Sequence, residues 1–431
     1  MSASPAQPPV LATVRVRMYQ VGFGDCFLLT FEYAGQAEPA RHILIDFGTR
    51  QLAAGLGLDD IAREIDAHTG GGPDVVVLSH RHQDHMSGFG GSGTDAIVGR
   101  WKPRLVVRSW TEDPAAPADG DGPSGTGLRA GLDQGLAFAK ALSQEITSAR
   151  GVRADLRELA VAQLANQAAI DRLNAWSQGG RGAYVNYGKP LAIDAVVPGV
   201  QVHVIGPPTV AQHPAVAKER STSPEYWQLY QGLAAAGAFI PAAGDQATGA
   251  EEKLVGPPRW VVERLQGPQL RSLLRIVTAL DHAMNNTSVI LLIQAGDRRL
   301  LFCGDAQIEN WEYALTFAPD RQAVLELLRG VDLYKVGHHG SRNATPRTLF
   351  NLWTEAATRD RAMVALMSTK KGVFPGTPGS NTEVPRESLV TALGQRMKPL
   401  SSTMDLQPGV SHVEVAAPAF GDAPFTVVGN E

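Results

Sequence analysis

The stretch Ser79-His80-Arg81-His82-Gln83-Asp84-His85 packs three imidazoles and a carboxylate directly behind the apolar run Val75-Val76-Val77-Leu78. With 11 His and 43 acidic residues in 431, chance would produce H-x-H-x-(D/E)-H in roughly 7 of 10,000 such chains, so the pattern is specific. On a chain leaving a strand, His80 and His82 can turn toward one point, whereas Asp84 and His85 lie past the bend and can reach a second. Neutral imidazoles with carboxylates suit zinc, and also iron or manganese. Two such ions about 3.5–4 Å apart suit hydrolysis of a phosphodiester, an ester or an amide. A closed structural zinc site usually recruits thiolates, and the two cysteines of the chain, Cys26 and Cys303, are far from the motif in sequence.

The run before the motif reads as a strand buried on both faces, its histidines emerging where strand pairing should stop. Upstream, Asp59 to His68 reads as a helix, with Asp59 as N-cap, Ile61 and Ile65 on one face, and Gly70-Gly71-Gly72-Pro73 ending it. Earlier still, Val14 to Tyr19 and Cys26 to Phe31 read as strands joined by the turn Val21-Gly22-Phe23-Gly24-Asp25, where Asp25 reads as a turn aspartate. A third strand, His42 to Ile45, ends in Asp46-Phe47-Gly48; Asp46 is either a turn carboxylate or an acceptor that orients a metal-bound histidine. Pro103 to Trp110, Leu191 to Ile193 and Val200 to Ile205 read as further strands. Asn285-Asn286-Thr287-Ser288 then precedes the strand Val289 to Ile293, and its hairpin partner, Leu300 to Cys303, ends in Gly304-Asp305. Leu333 to Val336 ends in Gly337-His338-His339-Gly340-Ser341. Three apolar strands thus end in His/Asp groups, and their convergence would build a dinuclear centre from distant sequence.

The composition is that of a globular protein: 44% hydrophobic, 19% charged, net charge −4. Mild acidity disfavours an obligate, sequence-tolerant nucleic-acid binder, which would carry a basic excess, though nucleic acid remains a candidate substrate. Met1 to Pro9 lacks the basic and apolar blocks of a signal peptide, and no apolar run approaches the ~18 residues of a membrane span. With two buried free thiols expected, the reading is a soluble, cytoplasmic protein without a membrane partner. Two intervals interrupt the core pattern, 112–185 and 209–279. Both read as mainly helical insertions in a single domain spanning 1–431, and the second is either a lid over the site or a decorating layer.

Taken together, Val21 to Asp25, Leu44-Ile45-Asp46-Phe47-Gly48, Ser79 to His85, Asn285 to Ser288, Leu301 to Asp305 and Lys335 to Ser341 resemble, in order, a metallo-β-lactamase-fold hydrolase. The resemblance is closest to the metallo-β-lactamase-like domain of the ComEC family of DNA-uptake proteins. It covers most of the chain outside the two insertions, with Ala362 to Ser368 as a late strand and Val384 to Leu393 as a closing helix. It implies an α/β fold, an αβ/βα sandwich of two mixed sheets flanked by helices. It also implies two divalent metal ions, zinc or else manganese: His80 and His82 on the first, Asp84 and His85 on the second, Asp305 bridging, and His338 completing the second. The family's third histidine for the first metal has no obvious counterpart, since His203, His213 and His282 stand in unconvincing contexts.

The implied mechanism is attack by a metal-bound hydroxide that Asp84 orients, with His339 facing the substrate and Asn286, Lys335, Ser341 and Arg342 holding its negative charge. A phosphodiesterase or nuclease, acting on a small-molecule or nucleic-acid phosphodiester, is the first expectation. The alternatives are a hydrolase of a small ester, thioester or lactam, and a non-catalytic metal-binding regulatory module. The fold by itself does not choose among them.

Overall fold

The computed structural model describes residues 9–35, 38–113, 167–209, 211–213, 285–341, 345–355, 362–373 and 384–429. Fourteen described strands form two mixed sheets. The first contains β1 (Leu11–Tyr19), β2 (Cys26–Tyr33), β3 (Arg41–Phe47), β4 (Val75–Val77), β5 (Leu105–Ser109), β6 (Gly182–Val185), β13 (His412–Pro418) and β14 (Thr426–Val428), in the order β14-β13-β1-β2-β3-β4-β5-β6. It is antiparallel from β14 to β3 and parallel from β3 to β6. The second contains β7 (Val200–Gly206), β8 (Ile290–Ala295), β9 (Arg298–Phe302), β10 (Leu333–Lys335), β11 (Val364–Met367) and β12 (Leu400–Ser402), in the order β12-β11-β10-β9-β8-β7. Here β7 to β9 pair antiparallel and β9 to β12 parallel.

The core shows how these layers stack. Alternate residues of both sheets, among them Val16, Phe27, Ile45, Val77, Leu291, Phe302 and Leu366, bury one another in a common interior. The opposite face of the first sheet, with Leu28, Leu44 and Val76, packs on helix α1 (Leu58–Thr69) and on the helical residues 167–177. The opposite face of the second, with Leu292, Leu301 and Tyr334, packs on α3 (Arg321–Arg329), α4 (Arg347–Glu355) and α5 (Glu387–Arg396). The arrangement is α/β, two face-to-face mixed sheets with helices outside, and central strands buried on both faces read as unbroken apolar runs.

Local signals explain most elements. Helix α1 stops at Gly70, which adopts φ +69°, a conformation that costs glycine nothing. Its start differs from expectation: Gly57, not Asp59, is the N-cap, and the Asp60 carboxylate accepts the Gly57 amide at 2.8 Å. Leu191 to Ile193 forms no strand; Ile193 is buried between the sheets instead. The 112–185 interval is described only at its two ends, and its C-terminal end supplies a helix and the strand β6, paired to β5. Nearly all of the 209–279 interval, together with His282 and Arg342, lies outside the described residues. Among the described residues no helix is long and apolar enough to cross a membrane. Cys26 and Cys303 are buried free thiols.

On the helix side of strand β3, which delivers Asp46 to the site, His42 meets a residue of β2 and one of α1 in a polar trio. Thr30 Oγ1 lies 3.1 Å from His42 Nδ1 and 3.2 Å from His68 Nε2. Burial, helped by His68 and opposed by Asp74, lowers His42 to about 4. The unfolded chain therefore takes up this proton below pH ~6.5 while the folded chain refuses it until about pH 4, and stability falls through that window. His42→Gln should reduce the loss of unfolding free energy between pH 7 and pH 5 by roughly 2 kcal/mol, read from urea titrations at both pH values.

Candidate metal centre

The motif after β4 folds into a turn of helix, α2 (Gln83–Met86), which places Asp84 and His85 side by side and buried. Seating α2 requires bare backbone beneath it. A Cβ on Gly48 would come within 2.5 Å of Gln83 O and Met86 N, and one on Gly24 within 2.2 Å of Gly48 O and 2.7 Å of Asp84 O. The Asp25 amide donates to Asp84 O at 2.8 Å and the Gly48 amide to Asp25 O at 3.1 Å, so three distant segments are stitched together under the motif.

Four donors meet there. Asp84, His85, Asp305 and His339, all buried, offer ligand atoms that lie within 4.8 Å of one another. His85 Nε2 is 3.3 Å from Asp305 Oδ2, and His339 Nε2 is 3.3 Å from Asp84 Oδ2 and 3.5 Å from Asp305 Oδ2. The far side of each ring is already committed. His85 Nδ1 lies 2.8 Å from Asp46 Oδ2, and His339 Nδ1 donates to Ser368 O at 3.0 Å. Asp46 is thus the acceptor that orients a histidine, and it also accepts the Ser79 amide and hydroxyl, each at 2.7 Å. Among the described residues, the inner nitrogens of His85 and His339 and Asp305 Oδ1 have no hydrogen-bond partner although they are buried. Two imidazoles with outer partners, aimed with two carboxylates at one point, could hold a transition metal ion.

His80 and His82 continue the line of rings. His80 Nε2 lies 2.8 Å from His82 Nδ1, and the His80 ring centroid is 4.2 Å from that of His85. Burial, with His85 and His82 adding to it, holds His80 well below the usual histidine range, and its other ring nitrogen, Nδ1, lies 3.1 Å from Ser79 Oγ.

Two residues sit elsewhere than expected. Gly337–Gly340 is not extended: His338 and His339 both adopt left-handed backbone, φ +42° and +52°. The turn carries His339 inward among the carboxylates, whereas His338 stays at the rim, 27% exposed and 3.8 Å from Asp305 Oδ2. The alternation of an extended chain, which favoured His338 as the ligand, does not apply to this backbone. Lys335 is the other. Rather than facing substrate it is sealed below the centre, 2% exposed, in an ion pair with Asp25, 3.7 Å from Asp305 Oδ1 and donating to Gly304 O at 3.0 Å. Asp25 is therefore more than a turn residue. A glycine-flanked aspartate that follows a strand carries no sequence signal to separate these roles.

Asn286 and Ser341 are both buried, and among the described residues Asn286 Oδ1 and Ser341 Oγ have no hydrogen-bond partner. The turn bearing Asn286 is tied to the motif through the Val289 amide, which donates to Ser79 O at 2.9 Å. His203 lies in β7, and His213 stacks on Phe317 beside Glu312; neither joins the cluster.

The electrostatics follow from this packing. Burial opposes charge on His85, yet Asp305 and Asp46 raise it well above its ordinary value. His339 is raised as well, against burial, by Asp305, Asp25 and Asp84. Asp84 and Asp305 are lowered despite burial, the first by His339 and His85, the second by His85, His339 and His338. His338 moves the other way, lowered by burial to about 4 with Asp305 opposing.

No family model matches the chain, and no curated protein matches it.

Two outcomes are expected. His339→Ala should lower bound metal, measured by elemental analysis after reconstitution, whereas His338→Ala should leave it near the wild-type value; the reverse pattern would return the ligand role to His338. Because the two raised imidazoles must give up protons to bind a cation, uptake should release protons and tighten as pH rises across neutrality. Calorimetric titration with zinc in buffers of different ionisation enthalpy reads that release directly, and uptake without proton release would contradict the assignment.

Proposed function

We propose that the chain is a metal-dependent hydrolase of the metallo-β-lactamase fold, related to the metallo-β-lactamase-like domain of the ComEC family, and that its substrate is a phosphodiester. The observation that carries the reading is the convergence of Asp84, His85, Asp305 and His339 from three strand ends on one buried point. A divalent ion held by these residues supplies Lewis-acid activation of water and of the scissile group. Zinc suits the donor set, with manganese second, and His80 with His82 would offer two further imidazoles to a second ion.

The residues themselves carry the remaining tasks. Asp84, held in its ionised form by His339 and His85, would accept a hydrogen bond from the attacking water and orient it. Asp46 and the Ser368 carbonyl fix the rings of His85 and His339, so that no rotamer search precedes reaction. His338, neutral at the rim, is placed to meet the substrate or the leaving group. The resemblance to the ComEC domain favours an anionic phosphodiester over a neutral ester or lactam. Four buried carboxylates at one centre, Asp25, Asp46, Asp84 and Asp305, are costly to maintain in a module without metal chemistry.

The test is hydrolysis of bis(p-nitrophenyl) phosphate, single- and double-stranded DNA and a thioester by zinc- or manganese-loaded protein. Phosphodiester turnover should fall about 100-fold or more in Asp84→Asn, and metal content and turnover should fall together in Asp305→Ala. Thioester turnover without phosphodiester turnover would overturn the substrate class, and normal turnover in Asp305→Ala would overturn the site.

A further inference from the structure

Arg81 stands between the two histidines of the motif but serves a different side of the chain. At the extended backbone of His82, φ −87° and ψ 152°, successive side chains leave on opposite sides. His80 and His82 face each other, and Arg81 turns away from them to bring its Nε within 3.1 Å of Glu112 Oε2. Glu112 is a buried carboxylate, 3% exposed, at the end of the turn that follows β5. The same oxygen lies 3.3 Å from Arg108 Nη1, on a side chain with no exposure at all.

Arg108 is immobilised in turn. It donates to Asn174 Oδ1 at 2.9 Å, Ser177 Oγ at 3.3 Å and Tyr184 OH at 2.7 Å, with its guanidinium carbon 5.0 Å from the Tyr184 ring centre. Two guanidiniums on one buried carboxylate are a poor source of stability, because desolvating the charges offsets most of their attraction. What such an arrangement does provide is direction: one nitrogen of each guanidinium is drawn to the same buried oxygen, Glu112 Oε2, and a charge that must stay paired restricts where the Arg81 side chain can go. Ser79 is tied to Asp46 and to the Val289 amide, and an apolar residue at 81 would remove the tether on the other side of the loop, between His80 and His82.

We propose that Glu112 and Arg108 are positioning residues: they anchor Arg81 from behind the metal motif, and thereby hold His80 and His82 turned toward a second cation beside the Asp84–His85–Asp305–His339 cluster. The inference rests on the metal-centre reading above and adds to it the device that keeps the less complete pair of ligands in register. The anchor comes from β5, β6 and the helix before it, so the first sheet's far edge sets the geometry of the motif.

The experiment uses the full chain with Glu112→Gln and Arg81→Met; the second leaves the Glu112–Arg108 pair in place, so the fold keeps its buried charge partner. His85 and Met86 amides both donate to His82 O, at 3.0 and 3.1 Å, and report on the loop without any metal. In the chelated protein their hydrogen exchange should quicken at least ~10-fold in either variant, with the β3 and β4 amides unchanged. In zinc titrations the tight step should be preserved and the weaker step weakened about 10- to 100-fold, the size typical of outer-shell partners. The double variant should be no worse than the more impaired single variant. Unchanged exchange at His85 and Met86, or exchange raised uniformly across the chain, overturns the anchor. Two zinc steps identical to wild type in Glu112→Gln overturn it while leaving the metal centre standing, whereas a wild-type protein that takes up no zinc or manganese overturns the metal-centre reading and the purpose assigned to the anchor with it.

Discussion

The ion pair between Lys335 and Asp25 is the contact on which the site end of the molecule depends. Both side chains are sealed from solvent, and removing an ion from water costs several kcal/mol that only close, completed partners recover. Completion requires both sheets. Asp25 stands between β1 and β2 of the first, and Lys335 ends β10 of the second, where its ammonium also donates to Gly304 O and faces Asp305. Against the cost of burial, Asp25 and Asp305 raise Lys335 above its ordinary value, so the cation persists. Stranding either partner alone would leave a buried charge, at a cost of roughly 3–5 kcal/mol. The Asp25 backbone meanwhile seats α2, so the contact that closes the sandwich also sets the height of Asp84 and His85.

Much of this was legible in the sequence because the relevant signals are local. Val75 to Val77, Leu300 to Phe302 and Leu333 to Lys335 announce themselves as buried strands, and the chemistry follows at their ends. Histidine and aspartate at three such ends predict convergence, and Asp84, His85 and Asp305 do converge. The remainder depends on partners that a linear reading cannot supply. Lys335 reads as a basic residue beside a site, and only tertiary placement turns it inward against Asp25. The choice between His338 and His339 turned on backbone handedness, which adjacent histidines do not encode. Strand β6, Gly182 to Val185, has three of its four residues only half-buried and lies at a sheet edge, so it offers little periodicity to find.

Lys335 and the two raised imidazoles offset most of the negative charge of the four carboxylates at the centre. Asp84 and Asp305 are held ionised, and the protons that neutralise them reside on His85 and His339, each of which sits above its ordinary value. A histidine raised in the folded state contributes stability that is fully present below its unfolded value and is lost as pH rises through the folded one. Alone, then, the centre stabilises the fold on the acidic side and turns against it on the alkaline side, where four carboxylates face only Lys335. A divalent cation held by these four side chains would reverse the trend, since it would replace the two protons in the range where they are lost.

Backbone strain gathers at the same place. Among the described residues, the non-glycine residues with positive φ are Asp46, at +58°, and His338 and His339, at +42° and +52°. Each such conformation costs of order 1–3 kcal/mol and persists only where its surroundings over-determine it. They do so here. Asp46 is held by Ser79 and His85, and the histidine turn by Ser368 O, by the His338 amide on Gly304 O at 3.2 Å, and by the Arg386 amide on Gly340 O at 2.9 Å. Glycine would relax all three positions, and the chain uses glycine freely at positive φ elsewhere, as at Gly70 and Gly296. At 46 and 339, however, glycine would remove the carboxylate that orients His85 and the imidazole that meets Asp84 and Asp305. Relief of strain and the donor set are incompatible at these positions, and the residues present are those that keep the donors.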